Sequence, residues 1–210
     1  MLFLFDLDGT IIDSEVGIFA GIRHAMAVVG APAPDDEALR AWIGPPLRVS
    51  FAPLLDHDHD RVEAAVAAYS QRFHDVGWSE HRVYEGIPEL IAALAARGHR
   101  LAIVTSKTRA HAERIIEHLP FAEAFERVYA PGPETARSEK AEMIAAALSD
   151  FEHLESDAFM VGDRRYDMEG AVANGVRGIG VLWGFGDREE LDKAGAWKVI
   201  ATPAEMLAFA

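Results

Sequence analysis

The sequence contains no cysteine, which excludes disulfide bonds, thiolate metal sites and a cysteine nucleophile. It also lacks any apolar run close to the roughly 18 to 20 residues that a membrane-crossing helix needs. Residues 1–5 are apolar, but this run is short, has no basic leader and passes directly into acidic residues. The pattern indicates a strand and not a signal peptide, so we expect a cytoplasmic protein with no membrane partner.

Positive charge is scarce, because 20 Lys and Arg residues face 34 Asp and Glu residues and leave a formal net charge of −14. Such a charge repels nucleic acid and anionic lipid unless a local basic patch overrides it, and the sequence shows no such patch. We therefore expect no nucleic-acid polymer as a partner. A small phosphorylated substrate would meet the same repulsion, so its site must carry local positive charge.

Short apolar runs alternate with helical patterns along much of the chain. The apolar runs lie at residues 2–5, 101–104, 128–130, 158–161 and 179–182, and the helical patterns lie at residues 88–97, 109–118, 140–148 and 167–174. This alternation predicts an α/β fold with a Rossmann-like, doubly wound parallel sheet. Sheets of this type place their ligand sites at the carboxyl ends of the strands.

One region differs from this pattern. Residues 14–82 show helical patterns, at 17–29, 37–42 and 62–76, and no convincing strand. We interpret this region as an all-helical insertion. The remaining residues, 1–13 and 83–210, are then the core, and a chain of this length can hold both.

Asp6-Leu7-Asp8-Gly9-Thr10 directly follows the first predicted strand. Two carboxylates at this spacing point to the same side of an extended segment, where both remain ionised most easily beside a cation. Oxygen ligands without histidine or cysteine favour Mg²⁺ over zinc. The alternative is an Asp-Gly turn capped by a second aspartate.

Asp163 and Asp167 follow another predicted strand. Taken alone, they could be a helix cap and a first-turn carboxylate. With Asp6 and Asp8 they make four carboxylates converging on one sheet edge. A buried group of this kind is unfavourable unless it binds a metal, and a metal held by carboxylates is a natural receptor for phosphate.

Hydroxyls and a cation come from two other places. Thr105 and Ser106 end the second core strand, where they could bind an anion or simply cap the following helix. Lys140 opens a predicted helix and could neutralise a phosphoryl oxygen, although an isolated lysine is more often a surface charge. Lys107 carries the same ambiguity and less weight.

Together these residues resemble the four ordered motifs of the haloacid dehalogenase superfamily, beginning with the stretch from Asp6 to Thr10. The helical insertion resembles the cap of the branch that includes phosphoglycolate phosphatase and beta-phosphoglucomutase. Residues 43–47 and the stretch 162–186 are similar to phosphoglycolate phosphatase-like proteins, some of which are described as 5′-nucleotidases. Dehalogenases of this fold lack an acid at the position of Asp8, so carbon–halogen cleavage is not expected.

The resemblance implies that Asp6 attacks phosphorus and becomes an aspartyl phosphate, while Asp8 acts as general acid and then general base. It implies a Mg²⁺ ion held by the Asp6 side chain, the Asp8 main-chain carbonyl and Asp163, with Asp167 supporting the cluster. Thr105 and Lys140 would hold the transferring oxygens. Substrate contacts are further expected from Gly9, Thr10 and Ser106.

Arg48, in the helical insertion, is our candidate for a second anionic group of the substrate, with a solvated surface arginine as the alternative. Residues 57–60, His-Asp-His-Asp, suggest a metal site, but we interpret them as a solvated loop in which Asp60 caps the next helix. We expect Trp183, Phe185 and Trp197 to be packing residues.

The predicted reaction is Mg-dependent hydrolysis of a small phosphomonoester. Phosphoglycolate is the first choice of substrate and a nucleoside monophosphate, cleaved by a 5′-nucleotidase activity, is the second. A beta-phosphoglucomutase-like phosphomutase and a phosphorylation-dependent signalling domain are the other hypotheses. The expected partner is a small phosphorylated metabolite, and the chain would be a monomer or homodimer.

Overall fold

A six-stranded parallel sheet lies at the centre of the computed structural model, which describes residues 1–45, 47–132, 139–152 and 157–209. The strands in these segments are β1 Leu2–Phe5, β2 Ile12–Asp13, β3 Arg82–Val83, β4 Arg100–Val104, β5 Arg127–Tyr129, β6 Ala158–Gly162, β7 Arg177–Val181 and β8 Lys198–Ile200. The order in the sheet is β5-β4-β1-β6-β7-β8, and β2 pairs separately with β3.

Helices connect the strands. In chain order they are α1 Glu15–Val28, α2 Asp36–Arg40, α3 Leu47–Leu54, α4 His59–Asp75, α5 Ile87–Ala96, α6 Arg109–Ile116, α7 Lys140–Phe151, α8 Arg165–Ala173, α9 Arg188–Lys193 and α10 Pro203–Met206. In the described segments no helix combines the length and the apolar character needed to cross a bilayer.

Strand β1 is the middle of the core because its four residues are fully buried and apolar. It pairs in parallel with β4 on one side and β6 on the other, so that Phe5 lies beside Ile103 and Val161. A continuous apolar run is typical of a strand covered on both faces. The residues that follow these three strands must therefore meet at one edge of the sheet.

The predicted α/β fold class is confirmed by this sheet. The five apolar runs in the sequence correspond to β1, β4, β5, β6 and β7 within one or two residues. The sequence patterns did not predict β8, α9 or α10. These elements are only three to six residues long, so they lack the long periodic signal on which such predictions depend.

The chain divides into two compact units: the sheet unit, residues 1–13 with 83–210, and the helical unit, residues 14–82. In the helical unit, α1 packs against α4. The approach is close, because a Cβ added to Gly21 of α1 would lie 2.7 Å from the ring of Tyr69 in α4. Ile22 of α1 and Phe73 of α4 are buried as well.

Two details of the helical unit differ from the sequence-based expectation. Helix α3 was not predicted, because it contains Pro53 and follows Pro45, and prolines normally mark loops. Its buried Phe51 contacts Trp42. The prediction that Asp60 caps α4 is wrong, since the Asp58 side chain accepts hydrogen bonds from the backbone N–H groups of residues 60 and 61.

Candidate active site

The carboxyl ends of the central strands bring together residues from four distant parts of the sequence. Asp6 follows β1, Thr105 follows β4 and Asp163 follows β6, while Lys140 begins α7 and Asp167 lies in the first turn of α8. All five side chains are buried. The sheet order explains the meeting, because β4, β1 and β6 are neighbours.

Three carboxylates form the acidic triad: Asp6, Asp163 and Asp167, whose candidate ligand oxygens lie within 4.8 Å of one another. Asp163 is held by the Thr10 hydroxyl, which donates to Oδ1 over 3.3 Å, and by the Phe185 backbone N–H, which donates to Oδ2 over 2.8 Å. Asp167 accepts a hydrogen bond from the backbone N–H of residue 164 over 3.1 Å. The triad is therefore fixed by the protein itself.

Lys140 bridges two members of the triad. Its Nζ lies 2.8 Å from Asp6 Oδ1 and 2.8 Å from Asp167 Oδ1, and it donates to the backbone carbonyl of Val104 over 3.0 Å. Burial opposes the charge, but Asp167 and Asp6 outweigh it and raise the pKa of the Lys140 ammonium group. Lys140 Nζ thus has three protein oxygens within 3.0 Å, and its contact with Asp6 orients that carboxylate directly.

The charge of this group is not balanced. With all three carboxylates ionised, one ammonium group leaves an excess of two negative charges in a buried place. Burial raises the pKa of Asp6 to about 6, with Lys140 opposing and Asp167 adding to the rise. Burial, followed by the charges of Asp167 and Asp6, raises the pKa of Asp163 well above its ordinary range. The donor set and the missing charge both fit one divalent cation.

The carboxylate of Asp8 is not part of the acidic triad. Its Oδ2 lies 3.1 Å from Nζ of Lys107, and both side chains are largely buried, with exposures of 14% and 8%. Its Oδ1 is buried and has no hydrogen-bond partner among the described residues. The four converging carboxylates of the sequence analysis thus become three, with Asp8 beside them in an ion pair. Lys107 is therefore more important than the sequence motifs alone suggested.

Gly9 and Thr10 have polar groups that are engaged within the protein. The backbone N–H of Gly9 donates to Ile12 O over 2.8 Å, and the buried Thr10 hydroxyl is engaged by Asp163. Gly9 has a φ of +82°, and a Cβ there would overlap with the Asp163 carboxylate. The two residues therefore make room for Asp163 and hold it, while their expected substrate contacts stay a prediction.

A second segment, residues 183–186, supports the site from the other side. Trp183 Nε1 donates to the carbonyl of Thr10 over 3.0 Å, and Phe185 supplies the N–H that binds Asp163. Gly184 approaches so closely that a Cβ would overlap with Gly9 O and Asp163. The sequence suggested packing roles for Trp183 and Phe185 and did not predict these hydrogen bonds, because they join segments far apart in the chain.

Thr105 and Ser106 occupy different environments. The Thr105 side chain is buried and its Oγ1 accepts a hydrogen bond from the Lys107 backbone N–H over 3.2 Å, whereas Ser106 is exposed. Helix α6 begins at Arg109 with Thr108 as its N-cap, so the proposed cap at residues 105–106 is wrong. The buried hydroxyl of Thr105 remains beside the strand ends.

A family model described as "Haloacid dehalogenase-like hydrolase" matches residues 3–181. The chain belongs to the haloacid dehalogenase-like hydrolase family. Among solved structures, a haloacid dehalogenase-like family hydrolase from Streptococcus pneumoniae has a TM-score of 0.92 and 31% identity, covering 99% of this chain and 97% of that one. The family prediction and the fold of a haloacid dehalogenase-like core are confirmed.

Proteins similar in sequence to this chain have several different names. The 5′-nucleotidase of Pseudomonas aeruginosa is 42% identical, with 90% of this chain and 85% of that protein covered. Tyrosine-protein kinase PtkA of Mycobacterium tuberculosis is 35% identical, with 91% and 65% covered, so the chain spans about two thirds of it. Phosphoglycolate phosphatase 1 of P. aeruginosa is 28% identical, with 88% and 70% covered. The predicted enzyme class, a phosphatase of this family, is confirmed at this level.

Arg48 lies in the helical unit and binds Glu63 through two of its three guanidinium nitrogens, with Nε–Oε1 and Nη2–Oε2 distances of 2.6 and 2.9 Å. Both side chains are exposed. Its expected role toward the substrate therefore stays a prediction. Within the stretch 43–47 that resembles phosphoglycolate phosphatase-like proteins, Pro46 lies outside the described residues.

Proposed function

We propose that this chain hydrolyses small phosphomonoesters with the help of a bound magnesium ion and through a phosphoryl group carried on Asp6. The observation that carries the proposal is the acidic triad, which keeps an uncompensated negative charge while Lys140 orients Asp6 at its centre. A carboxylate so placed can act as a nucleophile once a cation offsets the charge of the substrate.

Asp6, Asp163 and Asp167 are the side chains that would hold the metal, and the Asp8 main-chain carbonyl is the further oxygen that we predict. An all-oxygen donor set favours Mg²⁺ over softer ions. When bound, magnesium would neutralise the phosphoryl oxygens and polarise phosphorus toward attack.

In the first step an Asp6 carboxylate oxygen bonds to phosphorus while the bond to the leaving oxygen breaks, and Asp8 gives that oxygen a proton. In the second step water attacks phosphorus, Asp8 takes a proton from the water, and the bond to Asp6 breaks. Inorganic phosphate leaves and both aspartates are restored. The buried Thr105 hydroxyl is our candidate donor to the transferring oxygens. Lys140 would act mainly by keeping Asp6 in place.

For the substrate we favour a nucleoside 5′-monophosphate, because the relative named 5′-nucleotidase is 42% identical over 85% of its length. Phosphoglycolate, the first choice from sequence, is the second candidate, since the relative with that name is 28% identical. Residues 14–82 would serve as a cap that selects between them, with Arg48 as a candidate contact.

Three other reactions use similar residues. A phosphomutase would return the phosphoryl group from Asp6 to a sugar, so it would isomerise a hexose phosphate faster than it hydrolyses it. A signalling domain would show a long-lived aspartyl phosphate and negligible turnover. The relative named PtkA suggests transfer from ATP to tyrosine, which radiolabelled ATP and a tyrosine-containing acceptor protein would detect.

The test is phosphate release from nucleoside monophosphates, phosphoglycolate and sugar phosphates, with magnesium and after chelation with EDTA. We expect release that requires the metal. Asp6→Asn should lower it about a thousandfold or more, with an unchanged circular dichroism spectrum. The control is Asp192→Asn, which alters an exposed aspartate of α9 and should leave the rate unchanged. Absence of phosphate release from the whole panel would contradict the proposal.

A further inference from the structure

The ion pair between Lys107 and Asp8 is the second place in the sheet unit where a largely buried cation meets a residue of the Asp6–Thr10 segment. The two side chains expose 8% and 14% of their surface, and Lys107 Nζ lies 3.1 Å from Asp8 Oδ2. An ion pair at the surface contributes little free energy, so its two side chains can move apart easily. An ion pair that is shielded from water restricts both side chains. The position of Asp8 is therefore coupled to the loop after β4.

That loop is itself anchored. The Lys107 backbone N–H donates to Thr105 Oγ1 over 3.2 Å, and the Thr105 backbone N–H donates to Tyr129 O of β5 over 3.0 Å. The backbone of Lys107 is thus held by Thr105, which directly follows β4 and is hydrogen-bonded to β5. It can hold one carboxylate oxygen at a defined place.

The other oxygen of Asp8 is in a different state. Oδ1 is buried and no described residue donates a hydrogen bond to it. A buried carboxylate oxygen normally has a donor, and one without a donor is suited to exchange a proton with a bound reactant. Lys107 therefore holds Oδ2 of Asp8, while Oδ1 is available to exchange a proton.

We propose that Lys107 is a positioning residue for Asp8: its ammonium group binds Oδ2 and thereby directs Oδ1 toward the oxygen of the leaving group. The inference rests on the proposed function, in which Asp8 transfers that proton. Lys107 forms no covalent bond and moves no proton in this account. Its contribution depends on how much the leaving group needs an acid.

This dependence gives a test that a purely structural role would not satisfy. The kcat/KM value reports the steps up to formation of the aspartyl phosphate, and p-nitrophenolate leaves with little help from an acid, whereas an alkoxide needs a proton. For Lys107→Met we expect kcat/KM to fall about tenfold or more for a simple alkyl phosphate. For p-nitrophenyl phosphate we expect a change of no more than about threefold.

Lys107→Arg should recover much of the loss on the alkyl ester, because a guanidinium group can also bind Oδ2, and it serves as the second variant if Lys107→Met folds poorly. Lys193→Met, at an exposed lysine of α9, is the matched control and should leave kcat/KM unchanged for both substrates. Equal losses on both substrates, or a rise in KM with unchanged kcat, would overturn the proposal and assign Lys107 to direct anion binding or to folding. Failure of the proposed function would be distinct, because the unaltered protein would then hydrolyse neither ester.

Discussion

Lys140 in the sheet unit and Arg48 in the helical unit both pair with carboxylates, but under opposite conditions. Lys140 exposes 6% of its side chain and joins Asp6 and Asp167 from distant parts of the chain. Arg48 exposes 63% and pairs with Glu63, which is 15 residues away in the same unit. The first arrangement is shielded from water and the second is not.

The difference shows where charge can control chemistry in this molecule. Coulombic interactions are strong where water is excluded and weak at the surface. In the sheet unit a lost partner leaves a buried charge uncompensated, so both stability and reactivity depend on each group. In the helical unit an exposed pair can be broken with little effect on folding, which leaves Arg48 available for other contacts.

Among the variants that test this comparison, Asp163→Asn has the largest expected effect. We expect activity to fall about a hundredfold to a thousandfold, because a metal-binding carboxylate is lost. Without metal, the variant should nevertheless be more stable than the parent chain, with a free energy of unfolding about 1 kcal/mol higher. The reason is that the substitution removes one negative charge from a cluster with excess negative charge. Denaturant unfolding in EDTA measures this. Equal destabilisation with and without magnesium would contradict the charge imbalance.

Lys140→Met sharpens the comparison through stability. Removing the cation that contacts both Asp6 and Asp167 should lower the free energy of unfolding by about 3 kcal/mol or more. Magnesium should restore part of the loss, because it would occupy the same negative environment. Urea unfolding with and without magnesium is the measurement. A loss that magnesium does not reduce would show that packing, not charge, is the cause.

The smallest expected effect is that of Arg48→Met. The unfolding midpoint should stay within experimental error, as is typical of exposed ion pairs. If Arg48 binds a second anionic group of the substrate, KM should rise severalfold for phosphoglycolate and remain unchanged for an alkyl phosphate that has no charged group besides its phosphate. Steady-state kinetics on the two substrates decide this, with Glu63→Gln as the control that keeps the arginine.

Much of the sheet and part of the site could be predicted because they depend on local patterns. The apolar run Leu2–Phe5 identifies a buried strand, and parallel strands bring their ends together, so the meeting of Asp6, Thr105 and Asp163 follows. Lys140 was correctly placed at the start of α7.

The missed features depend on contacts between distant segments. The Phe185 N–H binds Asp163 across 22 residues, and Thr10 turns inward to Asp163 across 153 residues, which no local periodicity reveals. The ion pair of Lys107 with Asp8 likewise requires the register of β4 beside β1. Helix α3 was hidden by its prolines and depends on burial of Phe51.

The most direct measurement is a crystal structure of the chain with magnesium and beryllium fluoride, a mimic of a phosphoryl group on a carboxylate. The account predicts beryllium bonded to Asp6, with magnesium at about 2.0 to 2.1 Å from oxygens of Asp6 and Asp163. Beryllium fluoride bound elsewhere, or magnesium bound away from the acidic triad, would contradict it.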